Sequence, residues 1–340
     1  MKKYLFLVSV AAVALTACTN ESVEYVGDAP QAKEIGFAPL SKPSTRAAVD
    51  GTDFPTTLDM KVAAYQVEAT GGSAGVYFDA TTYKHGYKGG SDASGTYWGG
   101  ETARYWPLTP AYINFLAIAN ANADNATGVT WGTNKADQVT IVMSDNSSAQ
   151  RDLMYARGNG AVTQSGNALT FPDKVDMEFK HAQAWIDFKV KAKTDVEEAI
   201  TINSITLTGA IYNGTYTVTH TAYNAKTGQG VAGAWSALGS AQNIAVPGWT
   251  PATLSSSAFA TVGNGLMIVP DDTSTGDFTS FTINYTFDGK TYTYTYTPAS
   301  TQVEQAKHYI YEITFQLHEI FINPTVADWA DQTATAVPIG

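Results

Sequence analysis

Of the side chains that could carry chemistry, the five histidines come first: His85, His181, His220, His308 and His318. None stands in the His-Glu-x-x-His spacing that puts two imidazoles on one helical face around zinc. His181, His308 and His318 fall in strand-like stretches, where a hydrogen-bonded structural histidine is the expected role. Asp271 and Asp272 could act as paired carboxylates in acid–base work. They follow Val269-Pro270, however, and Asp after Pro is ordinary turn chemistry. Asn122, Asp124 and Asn125 offer oxygens to calcium, but a hard cation wants six or more and no EF-hand loop accompanies them. Trp98, Trp106, Trp131, Trp235 and Trp249 could line a sugar platform; core or rim packing accounts for them equally well. There is no nucleophile elbow, phosphate-binding loop or dinucleotide-binding glycine pattern. The residues point to no catalytic group, no cofactor and no metal.

Two positions offer chemistry done to the chain rather than by it. Lys2 and Lys3 precede an apolar run, Tyr4 to Leu15, of the length of a signal-peptide core and too short to span a bilayer. The run ends in Leu15-Thr16-Ala17-Cys18, and Cys18 is the only cysteine. A small residue before a cysteine at this point resembles the bacterial lipobox, in which the cysteine is acylated and becomes the mature N-terminus. Several acyl chains, at about 0.8 kcal/mol per buried methylene, give durable anchoring. A simple cleaved signal with an incidental cysteine is the other reading. The second position is Arg46, in the Pro/Ser/Thr loop Ser41-Lys42-Pro43-Ser44-Thr45-Arg46-Ala47-Ala48. An arginine followed by small residues in an exposed loop is open to a trypsin-like or arginine-specific protease. Composition alone favours a solvated arginine of no consequence.

The bulk numbers narrow the class. A chain of 340 residues suggests two domains of ordinary size. Charged residues make up only 15%, against about 25% in an average soluble protein. Thr, Ala, Gly, Ser and Tyr replace them, a composition suited to half-buried pleated surfaces. The net charge of −11 carries no basic cluster, which argues against nucleic acid as a partner. One cysteine allows no intramolecular disulfide. The chain therefore looks exported, tethered at its N-terminus and β-rich.

These positions need strands to hold them, and the pattern supplies strands throughout. Residues 18–34 are polar and acidic and form the expected tether. Ile35 and Phe37 alternate with small residues up to Pro39, which predicts an edge strand because proline lacks a backbone donor. Leu58–Val67, Gly75–Phe78, Ala111–Ala119 and Gln138–Ser144 read as further strands. Tyr112–Ile118 is almost continuously apolar, as a strand covered on both faces would be. Gly158 to Asp173 is polar and broken by Gly160, Gly166 and Pro172, and a domain boundary is expected at its end. In Met177–Val190 the apolar residues change parity: Met177 and Phe179 are odd, Ile186, Phe188 and Val190 even. A regular strand cannot keep both sets on one face, so a bulge or break is expected near His181 to Gln183. Asn213-Gly214 suggests a tight hairpin turn, and Asp288-Gly289 between Phe281–Phe287 and Tyr292–Tyr296 a clearer one.

Several segments together resemble the Bacteroidetes fimbrillins. They are RYWP (Arg104–Pro107), DLMYA (Asp152–Ala156), FKHAQAWIDFKV (Phe179–Val190), GLMIVP (Gly265–Pro270) and HYIYEITF…INPTVADW (His308–Trp329). The lipobox and Ser44–Ala47 sit where that family has its lipidation and cleavage sites. The resemblance implies an all-β fold of two tandem transthyretin-like β-sandwich domains, here expected at 35–173 and 174–340, after a signal peptide over 1–17. It implies a pilus subunit lipidated at Cys18, exported to the outer membrane and cut between Arg46 and Ala47 by an arginine-specific protease. Cutting removes the first strand, with Ile35 and Phe37, and a neighbouring subunit's strand fills the groove. Here Thr335, Val337 and Ile339 form the candidate donor face, with Pro338 interrupting its backbone donors. Other pilin subunits are the expected partners, with a host or glycan ligand for adhesion. The alternative is a surface lipoprotein that keeps residues 34–40 and binds glycans.

Overall fold

The computed structural model describes residues 32–40, 54, 57–67, 73–85, 98–100, 102–121, 126–133, 138–143, 150–193, 199–220, 231–271, 276–316 and 320–328. Among them there is no helix. The strands begin with β1 (Phe37–Leu40), β2 (Met60–Val67), β3 (Ser73–His85), β4 (Trp98–Gly100), β5 (Ala111–Ala119), β6 (Ala126–Trp131) and β7 (Gln138–Met143). They continue with β8 (Met154–Ser165), β9 (Ala168–Thr170), β10 (Val175–His181), β11 (Ala184–Ala192), β12 (Ile200–Ala210), β13 (Thr215–His220), β14 (Val231–Ser236) and β15 (Gln242–Ala245). The last are β16 (Ala252–Thr253), β17 (Ala260–Thr261), β18 (Leu266–Ile268), β19 (Ser280–Phe287), β20 (Lys290–Tyr296), β21 (Lys307–Phe315) and β22 (Ile320–Asp328). The fold is all-β, as its Thr- and Tyr-rich composition predicts.

One sheet runs β10-β1-β4-β3-β2-β5-β8-β9, and β10 also pairs with β8. That extra pairing closes the sheet on itself, with β9 left as a short extension of β8. Closure leaves the ring without edges. Its interior is an aromatic and aliphatic core that includes Ile35, Phe37, Met60, Phe115, Trp106 and Met177. The opposite faces of β2, β5 and β8 carry Ala63, Tyr65, Leu116, Ile118 and Tyr155 into a second core. This core is covered by the sheet β14-β13-β7-β6, through Val139, Ile141, Tyr216 and Val218. Alternate residues of β5 thus enter different cores, which is why that strand reads as continuously apolar.

The remaining strands form a sandwich of two sheets. One is β17-β11-β21-β22 with β18 beside β11; the other is β15-β12-β19-β20 with β16 beside β12. Phe188, Ile205, Phe281, Ile283, Ile313 and Phe315 fill the space between them.

Three expectations change. The strands do not divide at 173/174: β10 pairs with β1 and β8, so membership of the closed sheet runs on to His181. The parity change in Met177–Val190 marks the crossing itself. Val175, Met177 and Phe179 face the closed sheet's core, while Ile186, Phe188 and Val190 face the sandwich core. The chain changes sheets at Ala182-Gln183, where the Ala182 N–H donates to Leu153 C=O at 2.8 Å and the Leu153 N–H to Gln183 Oε1 at 3.0 Å. Asn213-Gly214 is no hairpin, because β12 and β13 lie in different sheets and β13 pairs with β14 and β7. The turn at Asp288-Gly289 does close a hairpin, β19–β20, with φ of 46° and 68° at its two residues. Third, β1 is not an edge strand, for reasons that define the site.

Candidate functional site: the first strand and its groove

The chain approaches β1 along residues 104–106. The Ile35 N–H donates to Arg104 C=O at 2.8 Å, and the Trp106 N–H to Lys33 C=O at 2.9 Å. Glu34 and Tyr105 face each other in an isolated antiparallel bridge. From Phe37 to Leu40 the strand then runs parallel to Val175–Glu178 of β10. On its other side it pairs with β4, Phe37 with Trp98 among the described residues. β1 therefore lies inside the sheet, between β10 and β4. Its proline fits there for a reason of phase. The Val175 N–H donates to Gly36 C=O at 2.9 Å, so the parallel ladder takes the N–H groups of residues 38 and 40 and asks none of residue 39. Pro39 stands where the ladder with β10 needs no donor.

Ile35 and Phe37 are both fully enclosed. The Phe37 ring meets Tyr83 edge-on at 4.7 Å and Phe115 at 5.1 Å between centroids. Trp106 packs edge-on against Phe115 at 5.7 Å. Two glycines of β8 make room for this crowd. A Cβ on Gly160 would lie 2.2 Å from the Trp106 ring, and one on Gly158 would lie 2.4 Å from Met177 Sδ. The first part of the polar stretch Gly158 to Asp173 is thus a strand, with side chains absent at Gly158 and Gly160 where the core packs closest.

The electrostatics at the mouth are uneven. Lys33 Nζ reaches Asp173 Oδ1 at 2.5 Å, and this hydrogen bond and charge hold the exposed Asp173 carboxyl below its usual range. Burial pushes Glu34 up. Burial also pushes Tyr83 up, against the Arg104 charge and with help from Glu34. Arg104 donates from Nη2 to Thr81 Oγ1 at 3.3 Å and lies over the Phe78 ring at 5.4 Å. Tyr83 Oη and Trp106 Nε1 are buried without a hydrogen-bond partner, as are Glu34 Oε1 and Arg104 Nε. β1 fills the groove's apolar pits and leaves these polar atoms unserved.

The other predicted residues scatter. Cys18, Arg46, Ala47, Thr335, Val337 and Ile339 lie outside the described residues, as do Asp272, Asn122, Asp124 and Asn125. The tryptophans form no platform. Trp98 and Trp106 are buried in the closed sheet, and Trp131 packs on the second core. Trp235 donates its ring N–H to Ala182 C=O at 2.6 Å, and Trp249 to Ile202 C=O at 3.0 Å. His181 is a buried partner of Asp152, with Nδ1 at 2.9 Å from Oδ2, and His308 stacks on Trp185 at 3.7 Å. No group of three or more metal-ligating side chains occurs among the described residues.

Sequence reasoning missed two polar anchors. Asp277 is buried and accepts the N–H groups of Asp271 at 2.7 Å and Val303 at 2.6 Å. Gln305 reaches Tyr155 Oη at 2.9 Å, Tyr216 Oη at 2.8 Å and His181 C=O at 3.1 Å from one amide nitrogen. Both sit in loops whose composition carries no signal of burial.

The fold has solved counterparts. A fimbrial protein from Bacteroides vulgatus superposes with a TM-score of 0.53 at 16% identity, over 88% of this chain and 100% of its own. A cell-adhesion candidate from Bacteroides ovatus gives 0.50 at 13% identity, over 89% and 100%. At these identities the likeness is one of fold. No curated protein sequence matches. The fimbrillin-like family profile, in contrast, matches residues 45–329, opening just after β1 and one residue before Arg46. With most of its length inside that match, this chain belongs to the fimbrillin-like family.

Proposed function

We propose that the protein is a structural subunit of cell-surface fimbriae, made as a lipoprotein through Cys18 and matured by cleavage after Arg46. Cleavage turns β1 into a separable strand, and a strand from another subunit takes its place between β10 and β4. One observation carries this reading: residues 35–40, which end in β1 and lie ahead of Arg46, bring two fully enclosed core residues, Ile35 and Phe37, to a sheet position between β10 and β4. Removing it leaves an apolar slot flanked by unpaired backbone groups, a state that invites strand addition. The buried polar atoms without partners around β1, Tyr83 Oη and Trp106 Nε1 among them, make the seated strand less stable than a fully satisfied core would be. Thr335, Val337 and Ile339 are the candidate face that this chain would offer in turn to another subunit's groove. An arginine-specific protease, the outer membrane and other pilin subunits are then its partners, and adhesion its service.

Mass spectrometry of the mature N-terminus on intact cells tests this. A start at Ala47 supports the reading. A lipid-bearing start at Cys18, with residues 34–40 retained, removes the strand-exchange step and leaves a surface-anchored lipoprotein.

A further inference from the structure

β20 stands at the end of its sheet, and among the described residues it pairs with β19 alone. The hairpin decides what its open side offers. A two-residue turn with positive φ at both residues closes with Lys290 N–H donating to Phe287 C=O. The backbone groups of residues 290, 292, 294 and 296 therefore face β19, and by alternation those of Thr291, Thr293 and Thr295 face outward. All three threonines are exposed, as is Tyr292 beside them.

Edge strands are ordinarily blunted by a charge, a proline, a bulge or shortness. β22, at the end of the facing sheet, carries Pro324. β6 has a register shift between Ala126 and Gly128, and β15 has four residues. From Thr291 to Tyr296 β20 has none of these, and its register with β19 is unbroken. Residues 291–295, Thr-Tyr-Thr-Tyr-Thr, also read the same in both directions.

We propose that β20 is a contact surface for β20 of a second copy, the two strands pairing antiparallel about a two-fold axis at Thr293. Thr293 then faces its own counterpart, and Thr291 faces Thr295 of the second copy, so every outward N–H and C=O finds a partner. Sliding two residues either way sets Thr295 against Gly289 or Thr291 against Thr297, both outside the strand. Tyr292 comes opposite the second copy's Tyr294, on the face where Tyr285 already stacks on Tyr292 at 5.6 Å. The other face prolongs the rows Thr282–Thr295, with Oγ1 atoms 3.1 Å apart, and Asn284–Thr293, bonded at 2.8 Å. The two copies of Lys290 end about 20 Å apart, beyond the roughly 8 Å over which they would repel. The pairing is independent of strand exchange at β1. One such contact is small and therefore weak; subunits repeated along two neighbouring fimbriae would multiply it.

The experiment uses the full chain carrying Cys18→Ser, so that an added cysteine is its only thiol. Hydrogen-bonded partners in an antiparallel pair have Cα atoms about 5.5 Å apart, within disulfide reach. Thr293→Cys should form a disulfide dimer under mild oxidation. Thr291→Cys alone should do so about tenfold more slowly or less, its counterpart lying about 14 Å away. Mixing Thr291→Cys with Thr295→Cys should restore the rate, as a heterodimer. Adding Thr295→Pro to Thr293→Cys removes an outward N–H but none that faces β19, and should slow the dimer about tenfold. Equal rates at 293 and 291, or indifference to Thr295→Pro, would mark chance collision and overturn the proposal. So would a Thr293→Cys chain that stays monomeric, whether its thiol reacts freely with a small reagent or is shielded from it.

Discussion

Phe37→Ala is the sharpest probe of how β1 is held. The ring is fully enclosed and makes edge-on contacts with Tyr83 and Phe115. Truncating a buried Phe to Ala costs about 3–5 kcal/mol, lost edge-to-face pairing included. β1 is a strand of four described residues, so the cost should fall on its local opening rather than on global unfolding. At about 1.4 kcal/mol per factor of ten, opening becomes roughly a hundred to a few thousand times more frequent. Residue-resolved hydrogen exchange reads this directly. The Val175 amide, bonded to Gly36 C=O, should lose that much protection. The Lys180 amide, which faces β8 opposite Tyr155 beyond the end of β1, should keep its protection. Val142→Ala, at an exposed site on β7, should change neither by more than about 0.5 kcal/mol. Equal loss at Val175 and at Lys180 would show that β1 and β10 open as one unit, and the argument for a separable strand would fail.

Gly160→Val pushes side-chain atoms into the Trp106 ring and should destabilise the closed sheet by about 1–3 kcal/mol in urea unfolding; no effect would mean that the strand is not trimmed to fit. Asp277→Ala leaves two backbone N–H groups without an acceptor and should cost about 3 kcal/mol, whereas an exposed loop would show nothing by the same assay. Glu34→Gln should hold β1 more firmly at neutral pH. Burial raises the Glu34 carboxyl, so its contribution favours the seated strand below the unfolded value of about 4.5 and is lost as pH rises through the raised one. Asp173, held by Lys33, acts in the opposite sense, its contribution present above about 3.8 and lost on acidification; Tyr83, pushed up by burial, stays neutral in between. Exchange at Val175 between pH 4 and pH 8 should quicken more in the wild type than in Glu34→Gln, and equal slopes would contradict the assignment.

Strand positions were largely legible, because alternation survives wherever one face meets a core. The burial of β7 at Val139, Ile141 and Met143 with Val142 outside follows its sequence pattern directly. Sheet membership was less legible. The parity change at His181 to Gln183 was visible, yet a bulge within one sheet and a crossing between two leave the same trace in a sequence. β13 reads like a partner for β12, and only the core between β2–β5–β8 and β7 explains why it leaves. The edge reading of β1 failed on a subtler point. A proline removes one N–H, and at residue 39 that N–H would point away from β10, so Pro39 breaks no bond of the parallel ladder although β1 has neighbours on both sides. The chemistry at Cys18 and Arg46 is sequence-local and needs no fold to be seen, while the groove that gives Arg46 a purpose exists only when residues far apart in the chain come together.

The central claim is that the place of β1 changes hands, and residue 98 is the position to watch. A photo-reactive amino acid in place of Trp98, the partner of Phe37, should cross-link to the protein's own residues 35–40 in the uncut precursor. In fimbriae recovered from the cell surface it should cross-link to a segment of a different polypeptide, identified by mass spectrometry. Recovery of the chain's own residues 35–40 on that cross-linker in assembled fimbriae would contradict the account.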